Sequence, residues 1–201
     1  MRILAAVLLG AAAIAPAGPV SAAVITFDSY QPRYDYSQNV IVTDGFSFSA
    51  NCQGCMGVED RPPRDLDGNP LPGAFNGTAS LLYSLDPLLI AAVDGAAFYL
   101  DQLDLGQSWY VPDAEVGSLV TVSYVLAGGG TGSVDVALDR SYHTVAVGQQ
   151  VLSVSISGGR GFGYVSLDNL VVNNVPEPES TGLALAALLG AGLATRRRRA
   201  A

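Results

Sequence analysis

Residues 118–126 read Ser-Leu-Val-Thr-Val-Ser-Tyr-Val-Leu, and beyond Gly128, Gly129 and Gly130 residues 132–138 continue as Gly-Ser-Val-Asp-Val-Ala-Leu. In both stretches apolar residues recur at every second position, the period at which a strand turns one face to a core and the other to water. Valine and tyrosine suit a pleated, half-buried surface, and the glycine run between them permits a tight reversal. Both read as short strands. Working outward, similar stretches occupy residues 24–28, 39–43, 45–50, 79–85 and 96–101 on one side and 142–147, 150–157 and 162–173 on the other. Turn-forming clusters such as Asp67-Gly68-Asn69-Pro70 separate them. Ten short strands with turns at this spacing, and no long amphipathic helix among them, predict an all-β fold: an antiparallel β-sandwich of the jelly-roll kind. Residues 54–77, with four prolines, form one long excursion, expected to lie over one end of the sandwich.

The ends of the chain differ from this body. Met1 and Arg2 precede an apolar stretch over residues 3–14, then Pro16 and Pro19, then Val20, Ser21, Ala22 and Ala23. A positive start, an apolar helix-forming segment and small residues before a cut make residues 1–23 a secretory signal peptide, cleaved after Ala22 or Ala23. An uncleaved membrane helix is the competing reading, and the prolines and shortness of the run oppose it. At the other end Val175, Pro176, Glu177 and Pro178 lead to an apolar run over residues 183–194, and Arg196, Arg197, Arg198 and Arg199 follow. The two prolines fix their own φ and bias Val175 and Glu177 towards extended backbone, giving a semi-rigid spacer open to a processing enzyme. The apolar run is shorter than the roughly 20 residues that span a bilayer core, which suits a transient anchor helix with snorkelling arginines. The arginines hold the C-terminus on the cytoplasmic side and leave the body outside. A permanent tail anchor and an arginine-rich helix binding nucleic acid are the alternatives.

The charge of the body opposes the last of these. Between residues 24 and 175 there are 16 Asp and Glu, 5 Arg and no Lys, a net of −11. Such a surface repels nucleic acid and anionic membranes, so no nucleic-acid partner is expected. Residues 24–174 amount to one ordinary domain. Cys52 and Cys55 frame Gln53 and Gly54, and outside the cytoplasm such a pair persists oxidised. A strand-like segment precedes them and Gly57, Pro62 and Pro63 follow, so a small disulfide-closed loop is favoured over a redox or metal role. Zinc would need two more soft ligands, and His143 is the sole histidine.

Signatures of catalysis are sparse. Glu59 with Asp60, and Asp101 with Asp104, are the acidic pairs a glycosidase would use, but no Gly-x-Ser-x-Gly, phosphate-loop or dinucleotide motif accompanies them. Asn76-Gly77-Thr78 matches a glycosylation sequon and reads equally as an ordinary turn.

The tail's order of Pro-Glu-Pro spacer, apolar helix and arginine cluster closely resembles the PEP-CTERM sorting signal, here residues 175–201. That resemblance implies export from a Gram-negative, polysaccharide-producing bacterium and recognition by the membrane enzyme exosortase. It implies as partners exosortase, the secretion machinery and, transiently, the inner membrane, with the cell surface or extracellular matrix as destination. In the body, Val24-Ile25-Thr26-Phe27-Asp28, the FYLDQLDLG segment from Phe98 to Gly106, and Ser166-Leu167-Asp168-Asn169-Leu170-Val171-Val172 look like the bodies of PEP-CTERM exoproteins. Those bodies are in turn similar to jelly-roll carbohydrate-binding modules.

The second resemblance implies a structural calcium ion at Asp28 and Asp168, where first and last strands meet. The alternative is that Asp28 merely ends a strand while Asp168 and Asn169 face solvent or bond a turn. It also implies extracellular polysaccharide as a ligand, stacked on exposed rings. Trp109 and Tyr110 stand where a strand gives way to a loop, and Tyr30, Tyr34 and Tyr36 form a second aromatic group; core packing is the competing role for each. The expected function is therefore a non-enzymatic surface or matrix protein sorted by exosortase; the alternative is a polysaccharide hydrolase with an unrecognised carboxylate pair.

Overall fold

The computed structural model describes residues 22–52, 54–62, 64–84, 87–109, 116–158 and 165–173. The leader before Ala22, Tyr110, the Val175–Pro178 spacer, the apolar tail helix and Arg196–Arg199 lie outside the described residues. Among those described, the chain forms eleven strands: β1 (Ala22–Ile25), β2 (Val40–Thr43), β3 (Phe46–Ser49), β4 (Met56–Glu59), β5 (Ser80–Tyr83), β6 (Leu88–Ala92), β7 (Phe98–Gln107), β8 (Leu119–Leu126), β9 (Thr131–Ala137), β10 (His143–Gly158) and β11 (Val165–Asn173).

All strand pairs are antiparallel, and they divide into two groups joined by β10. In the first, β4 pairs β5, β5 and β1 pair successive parts of β11, β11 pairs β7, and β7 pairs the first part of β10, from His143 to Val151. In the second, β2 pairs β3, β3 pairs β6, and β6 and β8 both pair the last part of β10, with β9 beyond β8. Two aromatic contacts cross between the groups. Phe27, just after β1, meets Phe48 of β3 edge to face at 5.1 Å, and Phe46 of β3 meets Phe98 of β7 at 4.9 Å. This is an antiparallel β-sandwich, as the alternation predicts.

The two stretches that open the sequence argument are β8 and β9, which pair as a hairpin with Val125 opposite Thr131 across the glycine turn. The β2–β3 hairpin closes on Asp44-Gly45 with φ of 50° and 79°, the left-handed pair that a two-residue turn requires. Residues 142–147 and 150–157, expected as two strands, are the single strand β10, whose pairing with β7 shifts register between Ala146 and Gln149. That bulge at Gly148, with φ of 62°, carries the turn signal that suggested a break. Strands β4 and β6 were not expected. β4 reads Met-Gly-Val-Glu and β6 Leu-Leu-Ile-Ala-Ala, and neither shows the apolar–polar alternation of a half-exposed strand.

The reason in β4 is that both of its faces are covered. Met56 and Val58 enter the hydrophobic core while Gly57 and Glu59, on the opposite face, are also buried. The same holds for Leu81 and Tyr83 against Ser80 and Leu82 in β5, and for Val165 and Leu167 against Ser166 and Asp168 in β11. The excursion after Cys55 provides much of the cover. Ala74 N donates to the Gln107 carbonyl at 2.7 Å, and Gly106 lies so close beneath Ala74 that a side chain there would overlap it. Residues 73–78 thus lie over the outer face of β7 and β11, not over an end of the sandwich as expected. That face carries small or polar residues (Gly106, Ser166, Asp168), and side chains satisfy the polar ones, Asn76 and Thr78 at Asp168 and Tyr142 at Ser166, as burial demands.

Phe48 is fully buried at the contact between the two groups, whereas Leu152 of β10 is 41% exposed. Phe48→Ala is expected to lower the unfolding free energy by about 3–5 kcal/mol, and Leu152→Ala by about 0.5 kcal/mol or less, in equilibrium urea titrations.

Candidate functional site

Strand β4 also positions a surface concavity. The loop over residues 30–37 runs beside it: Tyr34 N donates to the Val58 carbonyl at 2.8 Å, and Ser37 bridges Met56. Asp35 tightens this loop by accepting from Ser37 N at 3.0 Å, Ser37 Oγ at 2.6 Å and Gln38 Nε2 at 2.8 Å, which holds its carboxyl below the usual carboxylate range. Gly57 leaves room for Tyr36 to lie across the strand; a Cβ there would sit 2.6 Å from the Tyr36 ring. The outer Glu59 carboxylate then accepts from Tyr36 Oη at 2.8 Å and from Trp109 Nε1 at 3.2 Å, both on Oε2. One carboxylate oxygen thereby ties together two rings that lie far apart in sequence. Burial pushes the Glu59 carboxyl above its ordinary value; the Tyr36 and Trp109 bonds pull it back only in part.

Above this floor lies an open cleft of about 620 Å³, lined by Tyr34, Tyr36, Arg61, Pro62, Arg64 and Trp109. Its size falls among those of small-molecule sites, about 300–1,000 Å³. Tyr34 Oη donates to Asp60, which also pairs with Arg33, and these contacts hold Asp60 below the usual carboxylate range, the Tyr34 bond foremost. Arg61 lies over the Tyr34 ring, 5.6 Å from its centroid. The cleft thus offers aromatic faces, two guanidinium groups and a buried acceptor, an arrangement fit to hold a flat, hydroxyl-rich or anionic ligand.

Of the aromatic residues singled out from sequence, the fold brings Trp109, Tyr34 and Tyr36 together. Tyr30 instead packs against the core. Arg61, Arg64 and the linking role of Glu59 were missed; the Arg-Pro-Pro-Arg run over residues 61–64, standing out in an acidic body, is the signal that pointed to them.

Asp28 and Asp168 also come together, at the start of β5. Asp28 Oδ1 accepts from Ala79 N at 2.8 Å. Asp168, wholly buried, accepts from Asn76 Nδ2 at 2.8 Å, Thr78 Oγ1 at 2.6 Å and Asn169 N at 2.8 Å. Burial raises the Asp168 carboxyl above its ordinary value, and the like charge of Asp28 adds to this. Protein donors thus reach Asp28 Oδ1 and both Asp168 oxygens, and no group of three or more His, Cys, Asp or Glu suited to a metal occurs among the described residues. Calcium takes about six to eight oxygen ligands, and Asn76 and Thr78 add their side-chain oxygens to the two carboxylates here. The segment Asn76-Gly77-Thr78 is a turn, its Asn76 Oδ1 accepting from Thr78 N and Oγ1.

Cys52 and Cys55 are joined in a disulfide, Cα atoms 5.9 Å apart, closing a small loop between β3 and β4. Asp104 accepts from Thr144 Oγ1 and Asn169 Nδ2, and His143 pairs with Asp139 at 2.9 Å.

Residues 174–199 match the PEP-CTERM protein-sorting motif, so the chain carries the sorting signal of an exported, exosortase-targeted protein. No curated protein matches the chain in sequence. Among solved structures, that of TmCBM61 in complex with beta-1,4-galactotriose is similar, at 14% identity and a TM-score of 0.41, over 65% of this chain and 90% of that one.

Trp109 is the one tryptophan of the chain, so its emission reads the cleft directly. On acidification it is expected to change with a midpoint above the ordinary glutamate range, and the Glu59→Gln variant to lose that transition. A second test concerns Asp168, whose folded pKa lies above its unfolded one, so stability from the bound proton is present at low pH and lost as pH rises through the folded value. Wild type should therefore gain stability relative to Asp168→Asn as pH falls from 7 towards the ordinary carboxylate range, measured by urea unfolding at each pH.

Proposed function

We propose that this is an exported, non-enzymatic surface or extracellular-matrix protein that exosortase sorts through its tail and that binds extracellular polysaccharide at the cleft around Trp109. The observation that carries the binding half is the convergence of Trp109, Tyr34 and Tyr36 from separate loops on one open cleft. Sugar rings present apolar faces edged with hydroxyls, which aromatic planes flanked by polar donors and acceptors complement. Fixing the rings in advance, as Glu59 does, reduces the ordering cost that a weak ligand must offset. The sorting half rests on the motif over residues 174–199. On this reading the apolar tail holds the protein in the inner membrane until exosortase acts near the Val175–Pro178 spacer.

One observation favours the hydrolase alternative. Glu59 and its neighbour Asp60 stand at the cleft with their carboxyl groups driven in opposite directions, Glu59 raised by burial and Asp60 lowered by Tyr34 and Arg33, the split an acid–base pair needs. Their hydrogen bonds weigh against it: Glu59 serves Tyr36 and Trp109, and Asp60 serves Tyr34 and Arg33.

The test uses the full chain, produced in a host that carries exosortase. Mass spectrometry of the mature product is expected to show loss of the leader and of everything beyond about Pro178; an intact C-terminus would refute the sorting half. Titrating the product with a polysaccharide panel is expected to perturb Trp109 emission. Trp109→Ala should weaken binding, followed by affinity electrophoresis, about tenfold or more. No reducing ends should be released; their release by wild type but not by Glu59→Gln would establish the hydrolase instead.

A further inference from the structure

We infer that the polysaccharide recognised by the cleft is acidic, a uronate-bearing chain whose sugar ring stacks on the aromatic floor while its carboxylate meets Arg61 and Arg64. The inference rests on the proposed binding role of the cleft and narrows its ligand.

The argument begins with charge distribution. The body carries a net of −11, so its general surface repels a polyanion. Arginine is correspondingly rare, at positions 33, 61, 64, 140 and 160 between residues 24 and 175, yet two of these five line the cleft. Both are exposed, and among the described residues neither forms an ion pair, whereas nearby Arg33 pairs with Asp60. Arg61 rests on the Tyr34 ring and Arg64 donates to the Gly68 carbonyl, contacts that hold each guanidinium in place without neutralising it.

The neighbouring acids bond to other groups, though Asp60 also attracts Arg61. Asp60 accepts from Arg33 and Tyr34. Asp65 turns into its own loop, accepting from Asp67 N at 2.9 Å and Asn69 N at 2.8 Å. Glu59 lies beneath the rings with its Oε2 committed to Tyr36 and Trp109. The cleft thus presents two guanidinium groups above an aromatic base on an acidic molecule. A planar guanidinium matches a planar carboxylate with two parallel hydrogen bonds, and the Coulomb attraction is strengthened beside low-dielectric ring surfaces. Selectivity follows from the same contrast: a neutral glycan gains the rings alone, while a polyanion gains rings and arginines but is repelled everywhere else, which fixes it to one place.

The experiment compares uronate polymers, polygalacturonate and alginate, with their methyl-esterified forms, which keep the sugar and lose the charge. Binding to the full exported chain is read by Trp109 emission and by affinity electrophoresis. The acidic form of at least one polymer is expected to bind about tenfold or more tightly than its ester, and to weaken as salt is raised. In the Arg61→Gln/Arg64→Gln double variant that preference is expected to collapse towards unity, with circular dichroism unchanged because both side chains are exposed. Equal binding of acid and ester, with the double variant without effect, would overturn the acidic ligand and leave polysaccharide binding standing. Failure of uronate polymers, esters and a neutral glycan panel alike to perturb Trp109 would overturn both.

Discussion

Everything distinctive about this protein follows from burying one half of a sandwich on both faces. A sheet covered on one side alone keeps polar groups towards water. Here β4, β5 and β11 are sealed on both, so each polar side chain on the outer face must find a partner within the protein. Ser166 meets Tyr142 Oη at 2.6 Å, Asp168 meets Asn76 and Thr78, and Glu59 meets Tyr36 and Trp109. These pairings draw the covering loops down onto the sheet and set where each ends. The cleft is the place where the cover stops, and its floor is made of the last rings that the sheet's buried carboxylate holds.

The same constraint explains what could be read from the sequence. Alternation was clear in β2, β3, β8 and β9, where one face is wetter than the other, and it gave the fold class. It disappeared in β4, where Gly57 and Glu59 are buried for reasons of contact with Tyr36 and Trp109 that no local pattern encodes. In β6 a continuous apolar run, Leu88 to Ala92, hid the strand. β10 was divided in two because Gly148 reads as a turn and serves as a bulge.

For the site, residue type was legible and adjacency was not. Trp109 and the tyrosine group stood out as rings beside loops, and Cys52 with Cys55 as a local staple. That Tyr36 and Trp109 share one carboxylate depends on the excursion folding back across β7, a long-range event set by Gly73, Gly106 and Ala74. Asp28 and Asp168 are neighbours, as the resemblance implies, and the chain brings its own donors to both. Asn76 and Thr78, assigned no role beyond a turn, are among those donors.

The register of β1 has a consequence for the order of events in the cell. Ala22 through Ile25 pair with Asn173 through Leu170, so the first strand of the sandwich has its partner only in the last. Contacts so distant along the chain form late, because their loop-closure entropy must be met first. While the chain is being synthesised, its N-terminal portion has no completed sheet to join, and β11 emerges only after every other strand has been made. The topology therefore leaves the first strand of the sandwich unpaired until synthesis of the last is complete, and makes closure of the fold an event of the finished chain.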